Sequence, residues 1–192
     1  MSKTQDPRKD TAATLAAAGA LGASVFSATM MVLYFASMVY HALPHGRAKL
    51  WARAVDHAAI YLFIAGSATP FTLGAMTGWS GWAGIATCAL LWLLALAGAA
   101  LKLMRRLTQR RLSTGLYVLL GWGALLAAWP GLQLLDSSAL LWLAAGGLAY
   151  LVGTAFFVFD SSLRFGHFVW HLFVMAGSGC HLCAALGPGL GS

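Results

Sequence analysis

The chain has 192 residues, 60% of them hydrophobic and 9% charged, with 22 glycines and a net charge of +7. That composition excludes an ordinary soluble domain and fits a polytopic membrane protein whose helices approach closely through small residues. The positive charge does not imply nucleic acid, because the basic residues sit in short segments between apolar runs, the pattern that orients membrane proteins.

Residues 1–10 (MSKTQDPRKD) read as a polar amino-terminal tail. The apolar run behind them is too long for a cleavable signal peptide. Residues 11–43 are uncharged at neutral pH apart from the histidine near their end, too short for two crossings and read as one long helix. This span closes on Ser37, His41 and Pro44, and the loop after it carries Arg47, Lys49 and Arg53. A second span is expected over residues 56–76, opening on Asp56, with Pro70 as a kink and Thr77–Ser80 as a tight turn. The third span, 81–101, leads into the basic run KLMRRLTQRR, and the fourth, 112–129, is stopped by Pro130 and Gly131. A short loop around Asp136 precedes the fifth span, 138–159. A loop with Arg164 precedes the sixth, 167–186, and residues 188–192 form a Gly/Pro/Ser tail. The fold class is all-α: a polytopic transmembrane helix bundle of six spans, one domain over residues 11–187, with no internal repeat. Trp79, Trp82 and Trp129 read as interface anchors.

Six crossings put the loops on alternating sides. Arg47, Lys49, Arg53, Lys102, Arg105, Arg106, Arg110, Arg111 and Arg164 gather on one side, which the positive-inside rule makes cytoplasmic. Both termini then face outward, and Lys3, Arg8 and Lys9 of the tail fit poorly there. The same assignment brings His41, Asp56, His167 and His171 to one membrane depth, on the cytoplasmic side. Ser37 lies one turn deeper than His41 on the same helix face.

His167 and His171 are at i and i+4, so their imidazoles share a helix face, and such a pair suits a first-row metal, most often zinc. Ionisable groups inside a span are costly and read as functional. Three neutral histidines, His41, His167 and His171, leave one open position on a tetrahedral Zn2+, which is the catalytic pattern. Water there can have its pKa lowered to about 7. Asp56 can then act as general base, and Ser37 can bond the water or a developing oxyanion. Blander roles compete: Asp56 as a helix cap, Ser37 bonded to the carbonyl four residues back, and intramembrane histidines as packing contacts.

His181 lies 14 residues beyond His167, about 21 Å along a helix, so it cannot share that metal and reads as a buried polar contact. Cys88, Cys180 and Cys183 all lie in apolar segments, which argues against a disulfide framework. Cys180 and Cys183 form a C-x-x-C without a second pair, so packing is the simpler reading. His45 and His57 are expected to face solvent or headgroups. The run KLMRRLTQRR reads as an orientation signal with anionic-lipid contact.

The segments SMVYH (37–41), LWARAVDHAAIYLFIAGSATPF (50–71), GLYVLLGW (115–122) and HFVWHLFVMAGSGCH (167–181) resemble the hemolysin III family, the bacterial branch of the progestin and adipoQ receptor superfamily. The family's S-x-x-x-H falls on Ser37 and His41, its Asp on Asp56, and its H-x-x-x-H on His167 and His171. In the adiponectin receptor branch the resemblance implies zinc held by the three histidines at the cytoplasmic end of a seven-helix bundle. There the Asp and Ser act through bound water. Alkaline ceramidases look like distant relatives with the same metal set. The family's first helix and the Glu-, Asn- and Thr-His-containing motif before it have no counterpart here, so six spans stand where the family has seven. That loss would account for the misplaced tail charges, and a partner protomer could fill the gap in a homo-oligomer.

These readings converge on a multi-pass protein of the bacterial cytoplasmic (inner) membrane: a zinc-dependent hydrolase of a lipid amide or ester. The alternative is a non-enzymatic sensor of membrane lipid state with structural zinc. A pore-forming hemolysin ranks last, because the polar groups collect at one end instead of lining a path.

Overall fold

A computed structural model describes residues 7–74, 81–132, 135–160 and 162–187. Residues 1–6 of the expected tail, the turn at Thr77–Ser80 with Trp79, and the tail 188–192 lie outside the described residues. Six helices follow one another: α1 (Pro7–Ala42), α2 (Arg47–Gly74), α3 (Gly81–Leu103), α4 (Arg110–Leu132), α5 (Ser137–Val158) and α6 (Gly166–Leu186).

Several helix ends differ from the sequence expectation, each for a local reason. α1 starts at Pro7, inside the expected tail, since proline at the first helical position gives up an N–H that has no partner there anyway. α2 starts at Arg47, nine residues before Asp56, so Asp56 is no helix cap. α4 passes Pro130 and ends two residues later, within its last turn. α5 opens on Asp136, whose carboxylate accepts from the Ala139 N–H at 2.6 Å, a standard amino-terminal cap.

Five helices contain stretches long and apolar enough to cross a bilayer: Ala17–Ala42, Trp82–Leu103, Arg110–Trp129, Ser137–Val158 and Gly166–Leu186. Their outer faces carry Met31, Phe35, Leu93, Leu119, Leu126, Leu141 and Leu148, all exposed. In water these would be a large adhesive surface; against lipid tails they are in their proper solvent. α2 is not among the five, because it holds Asp56, His57, Ser67, Thr69 and Thr72. It is instead the helix the others surround, packed against α1, α3, α4 and α6. Its polar side chains therefore meet protein. Asp56, Ser67, Thr69 and Thr72 are all buried, and Thr69 and Thr72 return their hydroxyls to the carbonyls of Ala65 and Ala68.

Two cores flank α2. One joins α1, α2 and α6 to the α4–α5 end through Phe26, Phe63, Phe71, Leu132 and Ala184; the other joins α2, α3 and α4 through Tyr61, Leu91, Ala95 and Leu120. Register follows from the closest approaches. Gly22 lies against Pro70 and Gly66 against Thr29, so α1 and α2 run antiparallel. Gly98 lies under the Tyr61 ring. On the other side, Gly153 meets Phe173, Gly177 meets Tyr150 and Gly146 meets His181, which sets α5 antiparallel to α6. This alternation places the ends of α1, α3 and α5 beside the starts of α2, α4 and α6. Arg105 of the α3–α4 loop lies over Trp51 of α2, at that same end.

Deep in the bundle, Ser178 of α6 ties three helices. It accepts from Tyr34 at 2.8 Å, contacts the Tyr150 hydroxyl at 3.1 Å and donates to the Val174 carbonyl. Ser178→Ala strands both tyrosine hydroxyls and should destabilise the protein by about 1–3 kcal/mol. Tyr34→Phe leaves Ser178 bonded and should cost only about 0.6 kcal/mol. Unfolding in detergent distinguishes the two. Neither change should alter metal binding at His171, which lies seven residues from Ser178, about 10 Å along the helix.

Candidate metal centre

At the basic end of the bundle, the last turn of α1 and the first two turns of α6 face one another. His41 comes from α1, and His167 and His171 come from α6. The His167 Nε2 is 3.4 Å from the His41 Nε2 and 3.2 Å from the His171 Nε2. One ligand atom from each of the three lies within 4.8 Å of the others. Two nitrogens bonded to a tetrahedral zinc at about 2.0–2.1 Å would be about 3.3 Å apart, so the two closer separations match such a centre. Three imidazole lone pairs converging without a cation or a proton between them would repel, so the donor set fits a metal ion.

The rings are fixed from behind. The Trp170 ring packs against both His167 and His171, and Tyr40 packs against His41. Asp160, in the loop after α5, places its Oδ2 3.2 Å from the His167 Nδ1. Because a carboxylate accepts, Nδ1 carries the hydrogen and Nε2 keeps its lone pair toward the other two rings. Asp160 is gripped in turn by Arg110 of α4, whose Nη1 lies 2.6 Å from Oδ1. The Arg110 guanidinium holds the Asp160 carboxyl below the usual carboxylate range.

Asp56 and Ser37 stand apart from the three-ring group. Both are buried, and the Ser37 hydroxyl faces the Asp56 carboxylate between α1 and α2. Ser37 is one turn from His41 along α1. His57 differs from the expectation that it faces solvent or headgroups. It is half-buried, donates from Nδ1 to the Arg53 carbonyl at 2.6 Å, and packs against Phe157 of α5. The enclosure of α2 by its neighbours turns this face inward. His181 is away from the centre, between Tyr150 and Phe71. Cys88, Cys180 and Cys183 are free thiols.

Asp160 and Arg110 are the residues that sequence reasoning missed. Asp160 lies seven positions before His167, with a loop between, so no helical spacing connects them. Its signal was the scarcity of acids: among five aspartates, it is the one beside the H-x-x-x-H segment.

A family model described as "Haemolysin-III related" matches residues 9–182. The Hemolysin-3 homolog of Bacillus subtilis (strain 168) is 35% identical over 155 residues, covering 81% of this chain and 71% of that protein. Hemolysin-3 of Bacillus cereus is 35% identical over 158 residues, covering 81% and 69%. The Monocyte to macrophage differentiation factor of Homo sapiens is 27% identical over 171 residues, covering 83% and 67%. No solved structure matches the chain.

Proposed function

The chain belongs to the haemolysin-III related family, and from that premise we propose that it is a membrane-embedded, zinc-dependent hydrolase of a lipid amide or ester. The carrying observation is the meeting of three histidine nitrogens, one each from His41, His167 and His171 on the first and last helices, within 4.8 Å of one another. The nine loop and helix-end cations at that end support, by the positive-inside rule, a site at the cytoplasmic leaflet of a bacterial inner membrane.

Zinc held by His41, His167 and His171 supplies Lewis acidity and an acidified water at neutral pH. The protein's own groups do the rest. Asp56, buried between α1 and α2, accepts the proton of the attacking water. Ser37 bonds that carboxylate or the oxygen on which charge develops. A carbonyl at the headgroup boundary reaches this end of the bundle from the side, along α1 or α6, without leaving the membrane. The test is release of fatty acid from a ceramide-like amide by the metal-loaded protein. Asp56→Asn should retain metal and lower turnover about 10²–10⁴-fold. Unchanged turnover in Asp56→Asn, or none by the metal-loaded wild type on amides and esters, refutes this reading.

One observation favours a second reading. α1 packs mainly on α2 and touches α6 over a much shorter stretch, so a metal between His41 and α6 would clamp the two together. A sensor of membrane state with structural zinc would lose stability on metal removal while consuming no lipid.

A further inference from the structure

We infer that Asp160, held in place by Arg110, is a positioning residue that fixes the tautomer and ring orientation of His167 for metal binding. The inference rests on the reading that His41, His167 and His171 hold a metal, and deepens it. Four independent features place the carboxylate. α5 ends at Val158, and the Ser162 and Leu163 amides bond back to the Phe159 carbonyl, curling the chain beside the helix end. Phe165 then takes a left-handed conformation, φ 64°, from which α6 starts. Gly166, the first residue of α6, lies so close to Asp160 that an added Cβ would fall 2.9 Å from the Asp160 Cα. That approach brings the carboxylate to the first turn of α6. Finally, Arg110 bonds both Asp160 and the Phe157 carbonyl at the end of α5, and its guanidinium lies 4.2 Å from the Phe157 ring centre.

The consequence is specific. A histidine free to spin about its side-chain torsions presents either nitrogen, or a protonated one, to the metal. A carboxylate behind Nδ1 leaves Nε2 as the ligand and strengthens its basicity. Among the described residues, His167 alone of the three rings has a carboxylate within hydrogen-bonding distance. It is also the ring whose Nε2 is close to both others, so its orientation sets the centre.

The test is a cobalt(II) titration of the purified full chain in detergent, against a competing chelator, following the visible ligand-field bands. Wild type, Asp160→Ala and Asp160→Asn are compared, with thermal unfolding of each metal-free protein. Asp160→Ala should bind cobalt about 10–100-fold more weakly, with altered bands. Asp160→Asn, whose amide oxygen can still accept from Nδ1–H, should lose less and keep bands closer to wild type. Ala and Asn variants that bind as tightly as wild type with the same bands overturn the inference and leave the metal centre standing. So does an Asn variant no better than Ala in both affinity and bands. A folded wild type that binds no cobalt overturns the metal centre itself, and this inference with it.

Discussion

His171→Ala should strip the protein of tightly held metal, while His181→Ala, ten residues further along α6, keeps it. Removing an outer partner of a ligand typically costs 10–100-fold in affinity, so loss of one of three direct ligands should cost more than about 100-fold. The two α6 rings are one turn apart on one face and the third arrives from α1, and among the described residues these three form the group that could hold an ion. His181 packs on Gly146, Tyr150 and Phe71, about 15 Å from His171 along the helix. Its removal should therefore affect stability alone. A second readout follows from linkage. Metal at about 100 times its dissociation constant stabilises the fold by about 2.7 kcal/mol, or roughly 5–10 °C in a chain of this size. Chelation should remove that increment from wild type and change nothing in His171→Ala. Metal analysis and paired melting curves measure both. Full metal content in His171→Ala would mean that the ion, if bound, is held elsewhere.

The meeting of His41, His167 and His171 was legible in the sequence because its signals are local or topological. His167 and His171 share a face at helical spacing. His41 joins them because charge asymmetry puts the end of the first span and the start of the last on one side. Asp56 and Ser37 came from the same depth argument. Asp160 and Arg110 were not legible in this way. Their partnership passes through a left-handed residue and a glycine contact in a seven-residue loop, and nothing in hydropathy or periodicity encodes such a path. Arg110 also had a sufficient explanation as an orientation charge, which hid its bonds to Asp160 and to the Phe157 carbonyl.

The fold divides similarly. Five crossings follow from length and apolarity. α2 needs a different argument, because its polar content is what a helix enclosed by others can carry and a lipid-facing one cannot. Once α2 is central, the inward turn of His57 follows, as does the burial of Thr69 and Thr72. Sequence position alone placed His57 at loop level, since the true start of α2 lies nine residues before Asp56.

The close seam between α1 and α2 supplies the other large expected effect. Gly22→Ala would put a methyl 2.5 Å from the Pro70 Cα and 3.0 Å from the Pro70 nitrogen. Both are backbone atoms, so no rotamer change relieves the contact, and α1 must move off α2. Overpacking of this kind costs about 1–3 kcal/mol, or roughly 2–12 °C here. Gly66→Ala meets the same seam differently, since its methyl would fall 2.1 Å from the Thr29 Oγ1 and 2.7 Å from its Cγ2. Thr29 is held by bonds to the Val25 and Phe26 carbonyls, but it is a side chain. Thr29→Ala removes Oγ1 and Cγ2 but keeps the Thr29 Cβ, 2.8 Å from the new methyl, so it should rescue Gly66→Ala only in part, whereas truncating side chains near Gly22 rescues nothing. Gly123→Ala and Gly147→Ala, with nothing within 4 Å, should stay within about 0.5 kcal/mol of wild type. Because His41 rides on α1, Gly22→Ala should also weaken metal binding, by less than His171→Ala does, even though Gly22 is 19 residues from the ligand. Such an effect at that distance is what a rigid helix transmits, whereas wild-type affinity in a destabilised Gly22→Ala protein would mean that the metal end of α1 is positioned independently of its seam with α2.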